Sequence, residues 1–281
     1  MIASLLSRVC DSLTRGRASA GIGFLTLALA GLLMGGCAAD GSSPALEPSE
    51  LDWTPASQSG WTPLFQGDDL DKWEFRTEAA KEVWHVKDGV IDCTPRVLPR
   101  EKKHLWTRKE YGDFTLRLEW RLKDAKGGPH DMRWIQPDGT PKTNAEGEPV
   151  TIRRRNADSG LYLRGTQQVQ TNIWNWPVGS GEVYRYRTDG SLPDSVRAAV
   201  TPNVRADRPI GEWNVFVITL EGEQLTVVLN GQTVIDEAPL PGVPEKGAIA
   251  LQHHGGYNPE TDSWSSASSL VQFRDIYIKK L

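Results

Sequence analysis

The chain has 281 residues, a hydrophobic content of 38% and a formal net charge of -4 at pH 7. That hydrophobic content is enough for a folded core, and the weakly acidic balance argues against a general nucleic-acid-binding protein. All-β domains of this size are often single domains. The 11 tryptophans are many for the length, and they favour an all-β core that leaves some rings available to a ligand.

The first 37 residues have the pattern of an export signal. Three arginines precede an uncharged apolar run over residues 18–33, and Cys37 follows two glycines. Basic, apolar and small-residue regions in this order describe a secretory signal, and a cysteine at this place resembles a bacterial lipobox. We therefore expect a signal peptide over residues 1–37 and a lipid on Cys37 that anchors the protein to a membrane of the bacterial cell envelope. An ordinary signal peptide and an uncleaved membrane anchor are the alternatives.

Residues 38–59 are rich in Ser, Pro, Ala, Gly and acidic residues, a composition typical of a flexible tether. We expect residues 60–281 to form the folded domain. Cys93 is the single cysteine of this domain, so an internal disulfide is ruled out. We interpret Cys93 as a buried structural thiol.

Alternating apolar and polar residues mark the strands of the domain. The clearest case is residues 114–122, where every second residue is apolar and Glu119 and Arg121 lie in the opposite phase. Such alternation predicts a strand with one face in a core and one face free. The dipeptides Asp88-Gly89 and Asn230-Gly231 predict tight turns between antiparallel strands.

Residues 123–155 interrupt the strand rhythm with several glycines and prolines. This segment is too long for a simple turn, so it is either a disordered insertion or a rim over a site. Arg153-Arg154-Arg155 closes it. A basic triplet is usually solvated surface, but here it could also attract an anionic or polyhydroxylated substrate.

Residues 156–170 carry the strongest indication of a binding surface. Asn156, Asp158 and Ser159 are predicted to form a turn that aims the strand after it. That strand has a free face of large, polar-tipped side chains suited to hydrogen bonding: Tyr162, Arg164, Gln168 and Gln170. The face is either merely solvated or the floor of a binding site.

Residues 171–184 are rich in aromatic, amide and glycine residues. Sugars stack their apolar faces on aromatic rings while polar groups bind the hydroxyls. Trp174, Trp176 and Tyr184 are therefore candidates for sugar contact. The alternative, held equal for the two tryptophans, is that they pin the loop to the core.

The last strands add two further polar faces. In the strand near residue 250, alternation places Gln252 and His254 on the face opposite the apolar residues. In the last strand it places Arg274 on the face opposite the apolar residues in the same way. His253 and His254 could ligate a metal, but successive strand residues point to opposite faces, and no carboxylate stands at metal-ligand spacing. The sequence calls for no cofactor and leaves a divalent metal as a weak alternative.

Taken in order, several motifs resemble the 3-keto-disaccharide hydrolase domain family over nearly all of the domain. The motifs that carry the resemblance are Phe65-Gln66-Gly67-Asp68-Asp69-Leu70, Tyr111-Gly112-Asp113-Phe114, Leu118-Glu119-Trp120-Arg121, Asp158-Ser159-Gly160-Leu161-Tyr162-Leu163-Arg164-Gly165, Gly211-Glu212-Trp213-Asn214, Leu229-Asn230-Gly231, Leu251-Gln252-His253-His254-Gly255 and Phe273-Arg274-Asp275-Ile276. The resemblance implies an all-β, concanavalin-A-like jelly-roll sandwich of two antiparallel sheets with a concave sugar-binding face. The chain departs from the family in the insertion at residues 123–155 and in Arg185, where a glycine is expected.

The resemblance also implies an activity, the cleavage of a glycoside whose sugar is oxidised to a ketone at C3. We expect the polar phases of several strands to converge on the concave sheet. Within that site, the residues expected to be catalytic are Glu119 or His254 for proton transfer and Arg164 or Arg274 for enolate stabilisation. The expected substrate-binding residues are Arg121, Asp158, Tyr162, Gln168, Gln170, Trp174, Trp176, Tyr184 and Gln252.

Two other functions remain alternatives at this point. A direct glycoside hydrolase would need two carboxylates about 5 or 6.5–9.5 Å apart, and Glu119 is the only acid clearly on the proposed face, with Asp158 and Glu182 as loop candidates. A non-catalytic sugar-binding module would use the same fold and the same aromatic face.

Overall fold

The computed structural model describes residues 59–281. The predicted signal peptide, Cys37 and residues 38–58 of the predicted tether lie outside the described residues. Export and lipidation therefore stay predictions. Within residues 59–281, no helix is long and apolar enough to cross a membrane.

The described residues form strands joined by turns and three short helices. In chain order the strands are β1 (Trp61–Phe65), β2 (Trp73–Phe75), β3 (Trp84–Lys87), β4 (Val90–Cys93), β5 (Leu105–Tyr111), β6 (Phe114–Leu122), β7 (Pro129–Arg133), β8 (Thr151–Arg155), β9 (Asp158–Tyr162), β10 (Gln170–Trp174), β11 (Asn214–Glu221), β12 (Gln224–Leu229), β13 (Gln232–Pro239), β14 (Gly247–Leu251), β15 (Tyr257–Asn258), β16 (Ser263–Trp264) and β17 (Val271–Lys280). The helices are α1 (Glu78–Lys81), α2 (Tyr184–Arg187) and α3 (Asp194–Ala199).

Two antiparallel sheets make up the sandwich. The larger sheet has the order β13-β12-β11-β6-β17-β4-β3, and β1 also pairs with β17. The smaller sheet has the order β10-β9-β14-β5-β2. The remaining strands form two ribbons, β7 with β8 and β15 with β16. This is the all-β jelly-roll sandwich that the sequence predicts.

The core lies between the inward faces of the two sheets. On β6 the five apolar residues of the predicted inward phase are all buried: Phe114, Leu116, Leu118, Trp120 and Leu122. From the smaller sheet, Leu161, Ile173 and Leu251 join the same cluster with no exposed surface. Cys93 is buried among these apolar residues, and burial raises the pKa of its thiol. The predicted alternation of β6 and the structural interpretation of Cys93 are confirmed.

Tight turns occur where the sequence predicts them. Asp88 and Gly89 have φ of 51° and 75° and join β3 to β4, and Asn230 has φ of 51° between β12 and β13. Positive φ at these positions matches the twist of an antiparallel hairpin.

The stretch from residue 156 onward differs from its prediction. The strand begins at Asp158, earlier than expected, and ends at Tyr162. Arg164, with φ of 48°, and Gly165, with φ of 76°, then reverse the chain toward β10. The Leu163 amide donates to the Val169 carbonyl at 2.9 Å across this turn. Asp158 and Ser159 are therefore strand residues, and Arg164 is a turn residue.

The insertion over residues 123–155 is an ordered ribbon. The strands β7 and β8 pair along their whole length, and bridges at Ile135–Pro141 and Thr143–Pro149 extend the ribbon outward. Ile135 packs in a cluster with Trp174, and the ring of His130 lies 5.1 Å from that of Trp176. The second alternative for this segment, a rim over a site, agrees with these contacts.

Candidate active site

A cavity of about 760 Å³ lies on the outer face of the smaller sheet. The alternation of each strand places its polar residues here, because the intervening residues fill the core. Asp158 and Tyr162 come from β9, Gln170 and Asn172 from β10, and Gln252 follows β14. These side chains form the floor of the cavity.

The floor is a connected network of hydrogen bonds. The amide nitrogen of Gln252 donates to the Tyr162 hydroxyl at 3.0 Å. Gln170 donates to the side-chain oxygens of Gln252 at 2.8 Å and of Asn172 at 2.6 Å. Gly160 makes room for this arrangement, since a Cβ there would lie 2.7 Å from the Gln170 amide nitrogen. The network fixes each amide in one orientation, which is the preorganisation that recognition of hydroxyl groups requires.

Aromatic rings form one wall. Trp174 and Trp176 stack with centroids 4.7 Å apart and an interplanar angle of 10°. Trp174 donates its indole N–H to the Gly179 carbonyl at 2.6 Å, and Trp176 donates to the Asn156 side chain at 2.9 Å. Tyr184 is 41% exposed and meets Trp174 edge-on. The two tryptophans anchor the loop, as one of the interpretations expects, and they also line the cavity. Their contact with a sugar stays a prediction.

His254 and Asp158 form the chemically distinctive pair of the cavity. Nδ1 of His254 lies 2.9 Å from Oδ2 of Asp158, and the imidazole remains about half exposed to the cavity. The buried hydroxyl of Ser269 accepts from the His254 amide at 2.5 Å and donates to the Asp158 carbonyl at 2.7 Å, which holds the two backbones in place. The hydrogen bond to the Asp158 carboxylate raises the pKa of His254, and the carboxylate charge adds to this effect.

Three further histidines line the cavity, and two of them, His104 and His253, have the opposite electrostatics. Burial lowers the pKa of His104 to about 4 and that of His253 to about 3. His104 accepts the His253 backbone N–H at 3.2 Å and packs its ring edge-on to Tyr162 at 4.9 Å. At neutral pH both rings are neutral, so His254 is the histidine of this group that is suited to move a proton. Within residues 59–281, no group of three His, Cys, Asp or Glu side chains is arranged to hold a metal.

Several residues of this cavity were not identified from the sequence. The lining residues that the sequence did not indicate include Lys102, His104, His130, Asn156, Asn172, Arg185, Asp189 and His253. Asn172 shares the phase of Gln170 on β10, so strand alternation could have found it. His104 gave no local signal, because only the pairing of β5 with β14 brings it to the cavity.

The structure places three predicted site residues elsewhere. Glu119, Arg121 and Arg274 lie on the outer face of the larger sheet, because β6 and β17 are neighbours there. Glu119 accepts from Arg274 at 2.7 Å and from Arg117 at 3.0 Å, and the guanidinium groups of Arg121 and Arg274 lie 4.7 and 4.1 Å from the ring centroid of Trp213. The expectation that these polar phases converge with that of Tyr162 is wrong, since the outer faces of two stacked sheets point in opposite directions.

Arg164 is also absent from the cavity lining. Its side chain is buried, and it donates to the carbonyls of Gly112 at 2.9 Å, Gly222 at 2.7 Å and Pro244 at 3.1 Å, and to the carboxylate of Asp113 at 2.7 Å. These partners belong to turns from both sheets, so Arg164 ties one end of the sandwich together. The other predicted binding residues, Asp158, Tyr162, Gln168, Gln170, Trp174, Trp176, Tyr184 and Gln252, all line the cavity with His254.

The fold, the cavity and a family match together define a carbohydrate-active protein of the jelly-roll class. Residues 60–279 match the family model of the 3-keto-alpha-glucoside-1,2-lyase-like domain, and the chain belongs to this family. The resemblance identified from the sequence motifs is thereby confirmed.

A solved structure supports the fold. A candidate glycosyl hydrolase from Parabacteroides distasonis ATCC 8503 is 22% identical, with a TM-score of 0.51 over 79% of this chain and 84% of that one. A second candidate glycosyl hydrolase structure from the same organism is 18% identical, with a TM-score of 0.47 over 79% of this chain and 94% of that one. A search of curated proteins gave no significant match.

Proposed function

We propose that the cavity binds a glycoside whose sugar carries a ketone at C3, and that it cleaves the glycosidic bond by elimination followed by hydration. The observation that carries this proposal is the pairing of His254 with Asp158 beside a preformed floor of amides. Membership of the 3-keto-alpha-glucoside-1,2-lyase-like family supports the substrate class.

His254 is the proposed general base. A C3 ketone makes the proton on C2 acidic, because the electron pair left on C2 delocalises onto the ketone oxygen as an enolate. The neutral imidazole takes that proton, and Asp158 stabilises the imidazolium that forms. When the enolate re-forms the ketone, its electron pair becomes the second bond between C1 and C2. The glycosidic oxygen leaves C1 with the electrons of the broken bond and takes up a proton. Addition of water to this unsaturated ketone completes a net hydrolysis.

Lys102 and Arg185 are the proposed partners of the enolate oxygen. Both line the cavity, both are exposed, and neither forms an ion pair within the described part of the chain. A cation close to the developing negative charge lowers the barrier to proton abstraction. The role first considered for Arg164 and Arg274 passes to these residues, because Arg164 and Arg274 lie outside the cavity.

The floor and the wall account for sugar binding. Gln170 and Gln252 present amides to hydroxyl groups, and Trp174 and Trp176 offer ring surface to the apolar face of a sugar. The side-chain oxygen of Asn172 accepts from Gln170 at 2.6 Å and so helps to hold that amide in place.

The decisive experiment compares an oxidised and an unoxidised substrate. The full chain is incubated with a 3-keto-disaccharide and with the parent disaccharide, with and without a chelator, in deuterated water. Monosaccharide release from the keto-sugar alone, with deuterium at C2 of recovered substrate, is the expected result. Equal release from both sugars would identify a direct glycoside hydrolase, and binding by calorimetry without release would identify a sugar-binding module. The chelator arm reports a metal requirement.

Replacing Asp158 by asparagine is expected to move the pH dependence of this reaction. The base must be unprotonated, so activity falls as the pH decreases through the pKa of His254. Asp158 raises that pKa, so removing its charge should shift the acidic limb of the kcat/KM profile to lower pH. The plateau should also fall by roughly 10²-fold or more, because the ring loses the carboxylate that orients it. An unshifted acidic limb in the variant would exclude His254 as the titrating base.

Export remains part of the proposal. The signal predicted in residues 1–37 and the lipid predicted on Cys37 would place this activity at a membrane of the cell envelope. Labelled palmitate should be incorporated into the wild-type chain and not into a Cys37→Ser variant. Equal incorporation into both chains would refute the lipid anchor.

A further inference from the structure

A second cavity, of about 520 Å³, opens at one end of the sandwich. Its wall includes the end of β6 at Trp120 and Leu122, the end of β10 at Trp174, the loop over residues 205–210, and Arg154 from β8. Trp174 is the one described residue that also lines the cavity on the smaller sheet. The two cavities are therefore neighbours with different linings.

The lining of this second cavity is basic. Arg154, Arg205 and Arg208 contribute three guanidinium groups, and Asp207 contributes one carboxylate. Asp207 is already engaged, because it accepts the Ser180 amide at 3.0 Å through Oδ2. Arg205 lies 3.8 Å from the same carboxylate, beyond hydrogen-bond distance. Arg154 and Arg208 form no side-chain ion pair within residues 59–281, so the cavity carries excess positive charge.

We propose that this cavity binds a small organic anion through an oxyanion group, a carboxylate or a phosphate. Arg154 and Arg208 would provide charge-assisted hydrogen bonds to the oxyanion. Leu122, Pro209 and Ile210 give the cavity an apolar side, so the ligand carries carbon as well as charge. Sugar acids and sugar phosphates have this chemistry. The site is independent of the proposed cleavage at His254.

Calorimetry on the full chain tests this site. Glucuronate and glucose 6-phosphate are titrated at low ionic strength, with glucose as the neutral probe. At least one anion should bind more tightly than glucose, and the preferred anion identifies carboxylate or phosphate as the group recognised. A double Arg154→Ala, Arg208→Ala variant should bind that anion with an affinity lower by about tenfold or more, since each charge-assisted hydrogen bond contributes on that scale.

Two controls separate this site from surface charge and from the sugar cavity. Arg153 neighbours Arg154 on β8 but pairs with Asp131 at 2.9 Å and does not line the cavity. Arg153→Ala should leave anion binding unchanged, and His254→Ala should do the same. Absence of anion binding, an unchanged affinity in the double variant, or equal weakening by Arg153→Ala would each overturn the proposal.

Discussion

Replacing His254 by alanine is expected to reduce kcat for a 3-keto-disaccharide by about 10²–10⁴-fold, the range that a positioned general base contributes. The substitution removes the imidazole that lies 2.9 Å from Asp158 and leaves the backbone contact with Ser269 intact. The floor of amides is also preserved, so KM should change far less than kcat. Initial rates at saturating substrate measure the effect, and added imidazole should restore part of the activity.

Two matched variants make the result interpretable. His85 is an exposed histidine on β3 of the larger sheet, whose ring contacts the Glu82 carbonyl at 3.2 Å, and His85→Ala should retain full activity. Glu119→Gln tests the other group first considered for proton transfer. Because Glu119 lies on the opposite sheet in contact with Arg117 and Arg274, this variant should retain activity within about twofold. A large loss in Glu119→Gln together with full activity in His254→Ala would reverse the assignment.

The fold was predictable because its local signals agree with one another. Alternation on β6 identified the core face, and the Asp88-Gly89 and Asn230-Gly231 dipeptides identified two hairpins, since each depends only on neighbouring residues. The hairpin between β9 and β10 was not predicted, because Tyr162 and Gln170 were expected on one strand and instead pair across two. The ribbon over residues 123–155 was less accessible, because its order depends on contacts with the distant Trp174 and Trp176.

The site was only partly predictable, because alternation does not say which sheet a strand joins. Glu119 and Arg274 are opposite each other on β6 and β17, so grouping them together was correct, but they belong to the sheet that faces away from the cavity. His254 and Asp158 are 96 residues apart in the chain. Their contact depends on the long-range pairing of β14 with β9. Local patterns supplied the residue types, and the sheet order decided which of them meet.

Arg164 illustrates how a buried charge can be mistaken for a catalytic one. Replacing it by alanine is expected to lower the free energy of unfolding by about 3 kcal/mol or more, because the carbonyls of Gly112, Gly222 and Pro244 lose a charged donor at once. For a domain of this size that corresponds to a decrease of about 6–12 °C in Tm. Thermal and urea unfolding of the variant and the wild type measure the change.

Arg164→Lys is the informative companion to the alanine variant. A lysine keeps the charge but presents one compact ammonium group in place of a planar fork, so it cannot reach partners in several turns at once. It should recover only a part of the lost stability. Below the unfolding transition both variants should cleave substrate at nearly the wild-type rate, because Arg164 does not line the cavity. A variant with wild-type stability and a large loss of kcat would instead place Arg164 in catalysis, since a guanidinium that only ties turns together acts on folding and not on the reaction.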